Sequence, residues 1–143
     1  MTWGEIQIIS LQKMFAKDEP IDISDLDKLK EDDDCKLYLN SMPAVANEAM
    51  NRIKPYVMNM YQYNEEKKEY EKTVIEKITS ETSNNFEIPL PEDACVLIPL
   101  YIASQLYKDD DISQATAYRN EFEVGLQDLY YNVENQESIE EVF

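Results

Sequence analysis

The stretch LIPLYIASQLYKDDDISQATAYRNEFEVGL, Leu97 to Leu126, joins an almost wholly apolar run to an amphipathic one through a single acidic turn. Ala94, Cys95, Val96, Leu97, Ile98, Leu100, Ile102, Ala103 and Leu106 crowd into thirteen positions, too densely for one solvated face. A helix that is apolar on most sides is buried on most sides. The run from Pro91 to Tyr107 falls short of the roughly 20 residues a bilayer demands, and it carries Glu92, Asp93, Gln105 and an internal Pro99. It therefore reads as the central core helix of a small domain. Pro91 suits its first turn, and Pro99 interrupts it.

The acidic turn explains itself locally. Lys108 closes the first helix, and Asp109, Asp110 and Asp111 offer acceptors to the free N–H groups that open the next. Asp111 followed by Gln114 has the spacing of a capping box. From Ile112 to about Tyr130, Ala115, Tyr118, Phe122, Leu126 and Leu129 step by three or four and form one stripe. Gln114, Arg119, Glu121, Glu123 and Asp128 take the opposite face. The unit is a helical hairpin.

Working outward, Thr2 and Glu5 make a capping box for a first helix over Trp3–Phe15. Trp3, Ile6, Ile9 and Met14 fall near one face, widened by Ile8, Leu11 and Phe15. Lys17 to Asp34 holds nine acidic and three basic residues and reads as a solvated connector, with a short helical turn around Leu26 and Leu29. Asp32, Asp33 and Asp34 then cap a helix whose Leu39, Met42, Ala46, Ala49, Met50 and Ile53 face a core. Pro43 within it predicts a kink or two helices in near-continuity, and Pro55 ends it. From Tyr56 to Ser83 two readings compete. One is a β-hairpin, Val57–Tyr63 against Tyr70–Thr79, tipped by the charged run from Glu65 to Glu69. The other is a helix, which that charged run favours by propensity. Phe86–Ile88 is a short extended piece.

The whole is a mainly α chain: a small bundle of about four helices with a C-terminal hairpin and an insert over about residues 56–89. Residues 1–131 form one domain, and 132–143 an acidic tail with four glutamates and no cation. In that tail Ile139, Val142 and Phe143 are either partner anchors or part of a frayed terminus. With 143 residues and 43% hydrophobic content, the chain can bury a core.

Composition also bounds function. Thirteen basic against thirty acidic residues give a formal charge of −17, which opposes general nucleic-acid binding and docking on anionic lipid. Met1–Glu5 lacks the cationic, apolar start of a secretory leader, so an intracellular setting is expected. Cys35 and Cys95, 60 positions apart, read as reduced thiols, Cys95 a buried one. Histidine is absent, removing the commonest general base and transition-metal ligand. The two glycines lie too far apart for a phosphate loop. The two Asp-Asp-Asp runs lack the alternating ligands and glycine of a calcium loop and read as helix caps. No catalytic, cofactor or metal site is expected. Tyr101, Tyr107, Tyr118, Tyr130 and Tyr131 gather on the C-terminal hairpin, where tyrosine serves equally to line a core or to meet a partner. Arg119 is one of only two arginines, and an ion pair with Glu121 or Glu123, or across subunits, is expected of it.

The run IPLYIASQLYKDDDISQATAYRNEFEVGLQDL resembles the C-terminal helical pair of tailed-phage head–tail connector proteins, also called adaptor or head-completion proteins. A second run, YLNSMPAVANEAMNRI from Tyr38 to Ile53, is similar to the middle helix of the same family. Together they cover roughly a third of the chain. The resemblance implies a virion protein at the head–tail junction, assembled in the host cytoplasm, without cofactor or membrane contact. It implies a ring of about twelve copies, a portal protein on one side, a tail-side protein on the other, and a central channel for DNA. It marks Leu97, Pro99, Tyr101, Ala103, Leu106, Tyr107, Asp110, Asp111, Ala115, Tyr118, Arg119, Phe122 and Leu126 as structural or interface residues. An acidic channel wall repels phosphate and lets DNA slide. The competing reading is a small acidic inhibitor that mimics DNA and occupies a DNA-binding enzyme.

Overall fold

A computed structural model describes residues 1–15, 22–57, 61–72 and 75–142; for 61–63, 71–72 and 130–142 it describes the backbone alone. Among the described residues four helices of ten residues or more make a mainly helical bundle: α1 Trp3–Phe15, α3 Lys36–Ile53, α5 Leu97–Leu106 and α6 Ile112–Val142. Short helices α2, Leu26–Leu29, and α4, Glu92–Cys95, and a strand pair, β1 Tyr61–Asn64 with β2 Glu69–Lys72, complete it. α1, α3 and α6 all pack on α5. That arrangement explains why every position from Leu97 to Ser104 is buried. No helix is long and apolar enough to cross a membrane among the described residues.

The central apolar run is two helices rather than one. α4 ends at Cys95 and α5 begins at Leu97, with Val96 as the joint. Pro99 is the cause. It has no N–H to bond back to Cys95, and its ring opposes a continuing turn, so the helix restarts with Pro99 inside its first turn. Pro43 acts differently: α3 runs unbroken from Lys36 to Ile53 around it, not as two pieces. α3 then tightens into a 3-10 turn, Lys54–Val57, which contains Pro55 and packs on α6.

α1 opens with the Thr2 hydroxyl accepting from the Glu5 N–H at 3.2 Å. Its buried face differs from the expected one at several positions. Ile9 and Phe15 are half-buried, while Gln7 and Ser10 lie inside, on the stripe Trp3, Ile6, Gln7, Ser10, Leu11 and Met14. Both polar groups are satisfied there. Gln7 donates to Asn84 Oδ1 at 2.9 Å, and Ser10 donates to the Ile6 carbonyl at 2.7 Å. The start of the chain is laced to the extended piece before α4: Trp3 N–H bonds Phe86 O, Gly4 N–H bonds Asn84 O, and Ile88 N–H bonds Met1 O. A side chain on Gly4 would meet Asn84 O at 2.8 Å, so glycine permits this approach.

In the acidic connector, residues 16–21 lie outside the described part, and a 3-10 turn, Ile23–Asp25, leads into α2, whose Leu26 is fully buried. The first Asp-Asp-Asp run does not cap α3 as expected. Asp32 Oδ1 accepts from the Asp34 and Cys35 N–H groups, folding a turn that precedes the helix. The insert resolves as the strand pair, in register Tyr61 with Lys72 to Asn64 with Glu69, shorter than the hairpin expected. Asn64 Oδ1 holds its tip by accepting from Glu66 and Lys67, and Lys68 takes the left-handed conformation at φ 52°. Strand-prone tyrosines prevail here over the helix propensity of the charged run, which becomes the turn. Residues 58–60 and 73–74 of that expected hairpin lie outside the described part. Past it, Asn47 on α3 grips the return limb: its Nδ2 donates to Ile78 O and its Oδ1 accepts from Ile78 N–H, both at 2.8 Å.

The last helix also exceeds expectation, running to Val142 instead of ending near Tyr130. Its apolar stripe stops at Leu129, but the residues beyond contain neither glycine nor proline to stop a helix, and Glu and Gln propagate one. Ile139 and Val142 fall in its final turns; Phe143 lies outside the described part.

Candidate interaction surface

The hairpin joint forms as its residues predict. Tyr107 O accepts from the Asp110 and Asp111 N–H groups, and Asp111 Oδ1 accepts from the Gln114 N–H at 3.1 Å, capping α6. Asp110 and Asp111 stay exposed. The stripe on α6 lies inward: Ala115, Phe122, Leu126 and Leu129 are buried and Tyr118 is half-buried. Close contact between the helices is set at Gly125, where a Cβ would fall 2.3 Å from Leu97 Cδ2.

The residues marked by resemblance therefore divide. Leu97, Pro99, Tyr101, Ala103, Ala115, Phe122 and Leu126 are core and hold the hairpin together. Leu106, Tyr107, Tyr118 and Arg119 are half-buried, and with Asp110 and Asp111 they reach the surface. Of the hairpin tyrosines, Tyr101 is inside, while Tyr118 spans core and surface. Its ring lies under Lys13, with Nζ 5.4 Å from the centroid, and its hydroxyl donates to Lys13 O at 2.7 Å. That bond ties the end of α1 to α6.

One cluster joins residues that are remote in sequence. Tyr101 is 3% exposed and packs at 5.0 Å on the Phe122 ring. Its hydroxyl donates to Glu48 Oε2 on α3 at 3.1 Å. Arg52 and Arg119 both lie on its ring, with Cζ 5.5 and 5.2 Å from the centroid. Arg119 Nε donates to Glu123 Oε1 at 2.9 Å, and the same oxygen lies 4.0 Å from Arg52 Nη1. Arg119 was expected on the solvated face opposite the stripe; it sits on the flank instead, half-buried against Tyr101. The partner it takes is Glu123, within its own helix, and not Glu121.

Two couples of oppositely charged residues, Glu48 and Arg52 on α3 and Arg119 and Glu123 on α6, thus meet around one aromatic ring. Each is spaced four residues on its own helix. That spacing was visible in the sequence, but Arg52 and Glu48 gave no sign of facing Tyr101, because α3 reaches α5 only through the tertiary fold. Each cation–π contact at such half-exposed positions contributes roughly 0.5–1 kcal/mol. Chemically the cluster offers guanidinium donors for an oxyanion, with Glu48 and Glu123 already engaged by Tyr101 and Arg119.

Beside it, Asn47, Met50, Asn51, Lys54, Ile75, Glu76 and Lys77 line a cavity of about 340 Å³ where the return limb meets α3. Cys35 and Cys95 are free and buried. Burial raises the Cys95 thiol from 9.0 to about 11, so it stays protonated at neutral pH. No group of three or more Cys, Asp or Glu side chains is placed to hold a metal ion among the described residues.

Compared with known protein families, with curated proteins and with solved structures, the chain matches none.

Proposed function

We propose that this chain is a head–tail connector subunit of a tailed phage, a structural protein that assembles as a ring between portal and tail and surrounds the DNA path. The observation that carries the reading is the coincidence of motif and scaffold. The run that resembles the connector family, Ile98 to Leu129, is the run that builds the central hairpin α5–α6, and the second run, Tyr38 to Ile53, is α3 packed against it. A resemblance confined to a surface loop would carry less weight. The −17 charge supports the same role, since an acidic wall keeps a DNA duplex moving. In this reading the protein is not an enzyme, takes no cofactor, and meets copies of itself, a portal protein and a tail-side protein at the virion's head–tail junction.

The test is reconstitution. Purified chain mixed with portal particles is expected to give rings capping the portal in negative-stain images; a chain that stays monomeric and leaves portals bare refutes the reading. A DNA-mimicking inhibitor is the second reading, favoured by Glu121, Glu123 and Asp128 exposed along one helix. Recovery of a DNA-binding enzyme from host lysate, with no portal association, would decide for it.

A further inference from the structure

The only two arginines of the chain, Arg52 and Arg119, converge on the Tyr101 ring. Glu123 Oε1 serves both, by one hydrogen bond at 2.9 Å and one contact at 4.0 Å. Among the described residues Glu123 is the carboxylate within ion-pair distance of either, and it offers both the same oxygen, so each five-donor guanidinium keeps N–H groups beyond that contact. Their side chains are 49% and 31% exposed. A guanidinium held against an aromatic ring loses little further freedom on binding, and its planar fork matches a carboxylate at two points. The site is thus preformed for an oxyanion.

The same chain carries a segment that lacks a counterion. After Arg119, α6 contains seven acidic residues and no basic one, and Glu134, Glu137, Glu140 and Glu141 fall in its last turns. The backbone carrying these glutamates runs on away from Arg119 along α6. Arg119 lies on the same continuous helix, fifteen residues before Glu134, which is about 22 Å along the axis at 1.5 Å per residue. A free polyanion such as DNA is disfavoured as the occupant by the charge of −17 around the site. A second copy feels that repulsion too, but a subunit interface offsets it with buried contact, and ionic strength screens it beyond about 8 Å.

We infer that the Arg52–Tyr101–Arg119 cluster receives the glutamate-rich end of α6 from a neighbouring copy. The two surfaces differ, so the contact is head-to-tail, and such contacts propagate until they close in a ring. The inference rests on the connector reading for its biological setting, and names the pairing that would join one subunit to the next.

Two measurements separate the inference from that reading. In the first, a fluorescent peptide of residues 131–143 is titrated with the full chain in physiological salt. Saturable binding is expected, weakened at least tenfold by the double variant Arg52→Gln, Arg119→Gln with its helical CD unchanged, and abolished in a peptide with all four glutamates replaced by glutamine. Equal affinity for both proteins, or no binding, overturns the inference. In the second, ring formation is followed by mass photometry. Arg52→Glu with Arg119→Glu is expected to block assembly, and a partner chain bearing lysine at the four glutamate positions to restore it in mixtures. Rings that persist in the arginine variant overturn this contact and leave the connector reading standing. Peptide capture without any ring upholds the contact and removes the connector reading.

Discussion

Gly125→Ala tests the helix pair at its closest point. In a solvated helix the change is favourable by about 1 kcal/mol, because alanine gives up less backbone freedom than glycine. Here the new methyl would stand 2.3 Å from Leu97 Cδ2, more than 1 Å inside ordinary contact. The obstacle is the end of a flexible side chain, so Leu97 can turn away, but it is only 5% exposed, and turning displaces the buried neighbours around it. Forcing it from its rotamer and repacking its neighbours costs roughly 1–3 kcal/mol. The net expectation is a destabilisation of about 1 kcal/mol. Leu97→Ala alone removes a buried isobutyl group and costs about 2–5 kcal/mol. In that background the obstruction is gone, the helix preference returns, and the added methyl fills part of the cavity. Gly125→Ala should then stabilise by about 1 kcal/mol, so its sign reverses and the coupling energy is near 2 kcal/mol. Urea unfolding followed by helical CD, at concentrations below any assembly, measures all four proteins. If Gly125→Ala stabilises in both backgrounds, α5 and α6 do not meet at this register and the hairpin as described is wrong.

Other expectations follow from single contacts. Tyr118→Phe keeps the packing and removes the donor to Lys13 O, so it should cost about 1 kcal/mol and speed amide exchange at the end of α1. Asp111→Ala deletes the cap of α6 and should cost about 1 kcal/mol in thermal unfolding, with Asp111→Asn nearly neutral. Cys95 gives a pH dependence: its folded thiol stays protonated to about 11 while the unfolded thiol ionises near 9.0. The unfolded state therefore binds fewer protons in that window. The contribution to stability is full below the lower value and is lost as pH rises toward the upper one, on the order of 3 kcal/mol. Urea midpoints of wild type and Cys95→Ala should converge as pH goes from 8 to 11; parallel curves would exclude the effect. Gly4→Ala, unlike Gly125→Ala, meets a backbone oxygen and should destabilise in every background by about 1–2 kcal/mol.

What could be read from the residues follows their range of action. The hairpin was legible because its evidence is local: apolar spacing along α5 and α6, and an aspartate placed to cap. Pro99 announced a break, though not that the helix would restart at Leu97 and keep the proline in its first turn. The end of α6 is not legible in the apolar stripe, which stops at Leu129; burial does not mark the end of this helix, and propensity alone continues it. The insert was ambiguous because its strand-prone and helix-prone residues compete within a few positions, and only pairing decides between them. Least legible was the arginine cluster. Glu48 and Arg52, Tyr101, and Arg119 and Glu123 come from three helices, and no spacing in one dimension brings them together. The division of the marked hairpin residues into core and surface was equally hidden, since a tyrosine serves either place.

The grip of Asn47 on Ile78 bears on how such a chain can change over time. One amide completes both hydrogen bonds of the Ile78 backbone, so Asn47 fastens the limb to α3 on the far side of the strand pair. A loop anchored downstream in this way can be exchanged, lengthened or recoloured with charge while the bundle keeps its shape. Lineages would then diversify by rewriting residues 58–74 and leave the asparagine in place. An asparagine-to-alanine change at this position should free the limb as a unit, and in doing so mark where the replaceable cassette ends.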